Sequence, residues 1–263
     1  MTAPQHDGRQ HPCRQPFLLE LRDVHRSYGT GPARVVALVG VTLSVAAGEL
    51  VAVMGPSGSG KSTLLHVAGG LDTPDEGTVA VDGLDLTTLD RTRLAAVRRR
   101  AVGYVFQELN LISTLTLAEN VALPLELDGA RRGAAREQAV AALDAVGVGQ
   151  AADRFPDEVS GGQRQRAAIA RALVGERRVL LADEPTGALD SVTAHDVMAV
   201  LRARVDTGAA GLLVTHDPRT AAWADRVVFL QDGSLVDSTS PTDGRPAFLG
   251  GLGQFEDALD GER

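Results

Sequence analysis

The stretch that decides the fold is Leu50-Val51-Ala52-Val53-Met54-Gly55-Pro56-Ser57-Gly58-Ser59-Gly60-Lys61-Ser62. Its first five residues are all apolar, which predicts a strand that is buried on both faces of a parallel sheet. The residues from Lys61 to Ala68 have helical character, and Gly69-Gly70 is predicted to end the helix. A Gly, four variable residues and then Gly-Lys-Ser, placed between a strand and a helix, is typical of a phosphate-binding loop.

The chemistry of this loop follows from its residue types. Glycines let the backbone wrap closely round an anion, so that amide N–H groups and the start of the helix point at phosphate oxygens. Lys61 would reach the β- and γ-phosphates, and Ser62 would give its hydroxyl to Mg²⁺. A Gly/Ser turn with a chance lysine is the alternative, and the strand–helix setting argues against it. The predicted nucleotide-binding residues here are Gly55, Pro56, Ser57, Gly58, Ser59, Gly60, Lys61, Ser62 and Thr63.

Two adjacent carboxylates end a second apolar strand, Val179-Leu180-Leu181-Ala182-Asp183-Glu184-Pro185. Charges at the carboxyl edge of a parallel sheet face the crevice where ligands bind. Asp183 would organise Mg²⁺, directly or through water, and Glu184 would orient and polarise an attacking water. The alternative is a solvated strand end before a Pro turn, and the phosphate loop makes it the weaker interpretation.

Composition limits the classes of protein that this chain can be. Its 263 residues are 44% hydrophobic and 23% charged, which suits one globular domain with an inserted subdomain. A net charge of −8 argues against nucleic acid as a partner, and Arg98-Arg99-Arg100 is interpreted as a solvated helix face. No apolar run approaches the about 20 residues that cross a bilayer. The single cysteine, Cys13, fits a reducing cytoplasm.

The chain divides into three parts by composition. Residues 1–16 are predicted to be a flexible leader without a secretory signal, 17–238 the folded domain, and 239–263 a flexible tail. Within the domain, about 92–159 is Ala- and Leu-rich with helical spacing and is predicted to be a helical insertion, apart from the apolar stretch Val102–Phe106. Strand and helix alternate beyond it, which predicts an α/β fold with a parallel sheet.

A glycine-rich run beyond this insertion resembles a known signature. Val159-Ser160-Gly161-Gly162-Gln163-Arg164-Gln165-Arg166 is similar to the signature of ATP-binding-cassette (ABC) ATPases, with Val where the family usually has Leu. Gln107 resembles the Q-loop glutamine of that family, Gly187–Asp190 its D-loop, and His216 its switch histidine. Tyr28 stands where the family carries an aromatic residue stacked on adenine. From about Leu18 to Val236 every motif is present and in order.

The resemblance implies a P-loop NTPase fold: a RecA-like parallel sheet core, an N-terminal antiparallel β subdomain and an inserted helical subdomain. It implies ATP and Mg²⁺ as cofactors, with Glu184, His216 and Gln107 as catalytic residues. It also implies a second nucleotide-binding subunit, expected to be another copy of the chain, whose ATP the signature would face. The implied magnesium ligands are Ser62, Gln107 and Asp183; the signature residues are Ser160, Gly161, Gly162 and Gln163; the D-loop residue is Asp190.

The resemblance leaves three functional classes open. The first is the energy-coupling subunit of a membrane exporter, held on the cytoplasmic face of the membrane by integral-membrane permease subunits. The others are a regulator of a membrane complex and a soluble cassette ATPase acting on nucleic acid or ribosomes. The stretches 110–125 and 184–190 resemble the branch that serves lipoprotein release, macrolide export and antimicrobial-peptide export, which favours the exporter. The permease would choose the cargo, and Gln107–Pro124 is where family members contact it.

Overall fold

The computed structural model describes residues 17–239; the predicted leader with Cys13 and residues 240–263 of the predicted tail lie outside the described residues. The strands are β1 (Phe17–Tyr28), β2 (Val35–Ala46), β3 (Leu50–Met54), β4 (Glu76–Val81), β5 (Leu84–Asp85), β6 (Val102–Val105), β7 (Val179–Asp183), β8 (Ala210–Val214), β9 (Arg226–Gln231) and β10 (Ser234–Thr239). The α-helices are α1 (Lys61–Ala68), α2 (Arg91–Ala101), α3 (Leu117–Leu127), α4 (Arg132–Ala145), α5 (Gly161–Leu173), α6 (Ser191–Asp206) and α7 (Pro218–Ala221).

The larger sheet has six strands in the order β10-β9-β3-β8-β7-β6. All of them are parallel except β10, which pairs antiparallel with β9 at the edge. Successive residues of a strand face opposite sides of the sheet. Val51 and Leu181 therefore enter one core cluster, whereas Ala52 and Leu180 enter the other. The prediction of strands buried on both faces is confirmed.

The smaller sheet has four antiparallel strands in the order β2-β1-β4-β5, and it packs with α1 against one face of the parallel sheet. Its first strand is longer than the apolar run Phe17–Leu21 predicts. Irregular pairing with β2, including a register shift around Asp23 at φ 50°, carries β1 on through polar residues. Such bulges keep a long strand paired while bending it. As a result, Tyr28 lies at the end of β1.

Helices α5 and α6 lie on the other face of the parallel sheet, and α3 and α4 pack against each other and against α5 in the same core cluster. Helix α2 begins the segment that was predicted to be a helical insertion, but it packs elsewhere. Its Leu94 and Val97 contact the core cluster shared with the antiparallel sheet. Because α2 ends at Ala101, directly before β6, it has no connecting loop that could carry it away from the sheet. The separate helical layer therefore begins after β6.

The arginine run at the end of α2 makes specific contacts. Arg98 donates to the Gly70 carbonyl at 2.8 Å, and Arg100 pairs with Asp128 at 2.7 Å. Arg99 faces the same carboxylate at 3.8 Å and its side chain is 32% exposed. The interpretation as a solvated face is therefore wrong for Arg98 and Arg99, which tie α2 to the ends of α1 and α3. Across residues 17–239, none of the helices has the length and apolar character to span a bilayer.

Candidate functional site

The loop between β3 and α1 has a backbone that only glycine allows at two positions. Gly55 has φ 153° and Gly60 φ 103°, and a Cβ would collide with the Leu230 carbonyl at the first and the Ala37 carbonyl at the second. Gly58 faces open space, and its φ of 80° also favours glycine. Gly60 is the N-cap of α1 and has no side chain to cap the helix, so the first amide N–H groups of the helix stay available to an anion. The predicted strand–loop–helix arrangement is confirmed.

Lys61 is folded back on this loop. Its ammonium donates to the carbonyl oxygens of Gly55 at 2.9 Å and Pro56 at 2.7 Å. Burial lowers the pKa of Lys61, and the charges of Glu184 and Asp183 act in the opposite direction. A phosphate group in the loop would supply the negative charge that a partly desolvated ammonium lacks.

Asp183 ends β7 and is 5% exposed. Burial raises the pKa of Asp183, a hydrogen bond with Ser62 lowers it, and the charge of Glu184 raises it further. Residues 17–239 hold no group of three or more His, Cys, Asp or Glu placed to bind a metal. Mg²⁺ commonly takes one or two protein oxygens and completes its shell with phosphates and water. The hydroxyl of Ser62 and the carboxylate of Asp183 fit that chemistry.

Glu184 and His216 are in direct contact at the ends of β7 and β8. His216 donates to Glu184 Oε1 from its backbone N at 3.0 Å and from Nδ1 at 2.7 Å. The hydroxyl of Thr215 donates to Oε2 at 3.2 Å. Because an ionised carboxylate only accepts, Nδ1 carries a proton in this contact. Glu184 also has φ 48°, a conformation that costs a non-glycine residue about 1–3 kcal/mol and is common at functional sites.

Strand register brings these groups to one edge of the sheet. Val53 lies opposite Val214, so the phosphate loop and His216 leave their strands side by side. Val105 lies opposite Ala182, so Gln107 leaves β6 at the same edge as Asp183. Gln107 is exposed, and its side chain makes no hydrogen bond within residues 17–239.

The signature residues lie at the start of α5. Ser160 accepts a bond from the Gln163 backbone N at 3.2 Å and returns one to Gln163 Oε1 at 2.9 Å, a capping box. Ser160 and Gly161 are exposed. Among the described residues, no hydrogen bond or ion pair joins 160–163 to the phosphate loop. The start of the signature is thus open to solvent at Ser160 and Gly161.

The segment after Glu184 is bonded to α6 at the D-loop residue Asp190 and to α5 at Pro185. Asp190 caps α6 by accepting from the backbone N of Thr193 at 3.0 Å, and bonds from Thr193 lower the pKa of Asp190. Gln165, on α5, is 3% exposed and donates to the Pro185 carbonyl at 2.8 Å. Sequence reasoning missed Gln165, although a glutamine among the alanines of a buried helix face is a detectable signal.

Two further polar residues hold the segment that follows Gln107. Arg171 donates to the carbonyls of Leu109 at 2.7 Å and Asn110 at 2.6 Å, from the last turn of α5. Asn120 is fully buried; its Oδ1 accepts from the Ile112 backbone N at 2.7 Å, and its Nδ2 donates to the carbonyls of Ile112, Leu115 and Thr116. Neither residue was predicted to have a role in the site.

Tyr28 is the last residue of β1. It is 39% exposed, and its hydroxyl donates to Asp72 Oδ2 at 2.7 Å. Asp72 follows α1 along the chain, so the aromatic ring is tied to the helix that begins at the loop.

A protein-family model described as "ABC transporter" matches residues 38–187. The chain belongs to the ABC transporter family. Its ABC cassette resembles the macrolide export ATP-binding/permease protein MacB of Rhodospirillum rubrum, at 46% identity over 235 residues, 89% of this chain and 36% of that protein. The protein of the same name from Escherichia coli (strain K12) is 46% identical over 219 residues, 83% of this chain and 34% of that protein. This chain spans about a third of the length of these relatives.

Two solved structures share the fold of this ABC cassette. The dimeric post-hydrolysis state of the ATP-binding cassette MJ0796, bound to ADP and Pi, matches with a TM-score of 0.82 at 38% identity, covering 86% of this chain and 100% of its own. The dimeric structure of MJ0796, described as a bacterial ABC transporter cassette, matches with a TM-score of 0.82 at 39% identity. The predicted α/β cassette with an antiparallel β subdomain is confirmed.

Proposed function

We propose that this ABC ATPase binds ATP with Mg²⁺ and hydrolyses it to drive a membrane exporter. The observation that carries the proposal is the meeting of the phosphate loop, Asp183, Glu184 and His216 at one sheet edge. Lys61 and the amides of the loop bind the phosphates. Ser62, Asp183 and Gln107 would hold Mg²⁺, and the metal would supply positive charge beside the phosphates.

Glu184 is the residue that acts on water. Its carboxylate is held by three donors from the β8 end, so its orientation is set before a nucleotide arrives. One of its oxygens orients and polarises the water that attacks the γ-phosphate. His216 serves the γ-phosphate through Nε2. Since Nδ1 already donates to Glu184, Nε2 donates only when the ring is protonated or when the Glu184 contact opens.

The second half of each site comes from another cassette. Ser160 and Gly161 are exposed, and Ser160 caps a helix whose N-terminus favours anions. The related MJ0796 structures are described as dimers. We therefore propose a head-to-tail dimer in which the signature of one chain closes on the ATP that its partner holds, with Asp190 beside it as the D-loop residue.

The transporter part of the proposal rests on the relatives. They are named as macrolide export ATP-binding/permease proteins, and this chain matches about a third of their length. We propose that a permease holds the cassette at the cytoplasmic face of a membrane and contacts it at Gln107–Pro124. The exposed Ile112 and the bonds from Arg171 and Asn120 support that stretch as a firm docking surface. The cargo is set by the permease.

Glu184→Gln tests the hydrolytic role. It keeps the size of the side chain and removes its charge, so we expect ATP binding to persist and phosphate release to slow by about 10²-fold or more. Glu137→Gln on the exposed face of α4 is the matched control. Gel filtration with ATP should show the variant trapped as a dimer. Undiminished phosphate release would remove Glu184 from this role.

Mixed dimers test the action of Ser160 in trans. A Ser160 variant and a Lys61 variant, each inactive alone, carry different tags and are purified together. If Ser160 serves the ATP of the partner, the mixed dimer regains one complete site and about half of the wild-type rate per dimer. Well-formed mixed dimers without activity would contradict the arrangement.

A further inference from the structure

A cluster of side chains at the end of β1 fixes the ring of Tyr28. Arg26 lies two residues earlier on the same face of the strand, and its Cζ is 4.7 Å from the ring centroid. The guanidinium therefore covers one face of the ring, as in a cation–π contact. The hydroxyl of Tyr28 donates to Asp72 at 2.7 Å, which sets the direction in which the ring points.

Arg26 is itself held by two carboxylates. Its Nε and Nη2 donate to the two oxygens of Asp72 at 3.0 and 2.8 Å, and its Nη1 donates to Asp75 at 2.8 Å. The other oxygen of Asp75 accepts from the backbone N and the hydroxyl of Ser27, each at 2.7 Å. Bidentate, charge-assisted bonds of this kind leave a guanidinium little freedom. The Arg26 side chain is 22% exposed, which also protects these bonds from water.

The two carboxylates belong to the segment that connects α1 to β4. The backbone N of Asp72 donates to the carbonyl of His66, in the last turns of α1, at 3.2 Å. Asp75 is tied back to β1, since its backbone N donates to the His25 carbonyl at 2.8 Å. The helix that begins at the phosphate loop is thus linked at its other end to the ring of Tyr28.

We infer that Arg26, Asp72 and Asp75 are positioning residues that hold Tyr28 as a one-sided platform for the adenine of ATP. The inference rests on the proposed function, because it concerns the base end of the same nucleotide. Since Arg26 occupies one face of the ring, the base stacks on the other. A ring whose tilt is fixed in advance loses less conformational freedom on binding, and this raises the affinity for the base without touching the phosphates.

The test distinguishes binding of the adenine base from binding of the phosphates. Arg26→Met removes the guanidinium and keeps the aliphatic stem. Arg22→Met is the matched control, because Arg22 lies on the same strand in an exposed ion pair with Glu20 at 2.6 Å. Binding of ATP and of inorganic tripolyphosphate, which has no base, is measured for each protein by calorimetric titration. Circular dichroism checks that each variant is folded.

We expect Arg26→Met to weaken ATP binding by about three- to tenfold while leaving the affinity for tripolyphosphate unchanged. Arg22→Met should bind both as the wild type does. Tyr28→Phe removes only the hydroxyl bonded to Asp72 and should also weaken ATP binding without changing tripolyphosphate binding. This variant tests the inference if Arg26→Met does not fold. Unchanged ATP affinity, or equal losses for ATP and tripolyphosphate, would overturn the inference. Failure of the wild type to bind ATP would instead overturn the proposed function.

Discussion

Gln165→Leu tests the hydrogen bond between α5, the helix that begins at the signature residues, and the segment that follows Glu184. Helix α5 begins at the signature, and Pro185 directly follows Glu184. The only donor that α5 offers to the Pro185 carbonyl in the described residues is Gln165 Nε2, at 2.8 Å in a buried setting. Leucine has a similar volume and cannot donate, so the substitution removes this bond without opening a large cavity.

The expected loss follows from burial of the carbonyl. Pro185 is buried, so its oxygen would be left without a partner and without water. Leaving a buried acceptor unpaired lowers the free energy of unfolding by about 1–3 kcal/mol. The turnover should fall further than the ATP affinity, because Pro185 directly follows Glu184, whereas the phosphates are bound by the loop that holds Lys61. A misplacement of the order of 1 Å can slow a reaction by about 10²-fold, and we expect a decrease of about ten- to a hundredfold.

Three measurements test this expectation. Urea unfolding, followed by the fluorescence of the single tryptophan, Trp223, gives the free energy of unfolding. Phosphate release at saturating ATP gives the turnover, and titration in the absence of Mg²⁺ gives the affinity. Gln138→Leu is the matched control: it is the same substitution, made at an exposed position of α4.

Two outcomes would refute the reasoning. An unchanged free energy of unfolding would mean that the bond from Gln165 contributes nothing. A lower free energy of unfolding with a wild-type turnover would mean that Gln165 only stabilises the fold. It would also mean that its bond to Pro185 does not affect the action of Glu184.

Two other substitutions test buried polar groups. Asn120→Ala removes all four bonds to residues 112–116, so we expect about 2–4 kcal/mol less unfolding free energy and faster proteolysis of 107–116; a wild-type digestion pattern would contradict this. Asp183→Asn should stabilise the nucleotide-free protein while abolishing Mg²⁺-dependent ATP binding. Because burial raises the pKa of Asp183, the native state binds the proton more tightly than the unfolded state, and wild-type stability falls as pH rises through the raised value. The variant should therefore unfold at a higher temperature than the wild type near neutral pH, and this difference should shrink on acidification. If the unfolding temperatures of the two proteins change in parallel with pH, burial of this charge is not unfavourable.

Much of this cassette could be predicted because its chemistry is local in the chain. The phosphate loop, the pair Asp183-Glu184 and the cap at Ser160 each depend on neighbouring residues, and uninterrupted apolar runs predict the parallel strands. The order of motifs along the chain then identified the family. Local patterns also placed Gln107 and His216 at strand ends, although only register showed that these ends share one edge.

What tertiary structure alone decided is the partner of each buried polar group. Gln165 meets a carbonyl 20 residues away, and Arg171 meets one 62 residues away, so no local pattern reveals either contact. The same reason explains the corrections to β1 and to α2. Bulged pairing with β2 extends β1 to Tyr28, and packing of Leu94 and Val97 on the core cluster that both sheets share keeps α2 out of the helical layer. The sequence by itself determined the phosphate loop and the nucleotide-binding family; long-range packing determined how Tyr28, Glu184 and the signature helix are held around it, because hydrogen-bond partners are chosen by proximity in space.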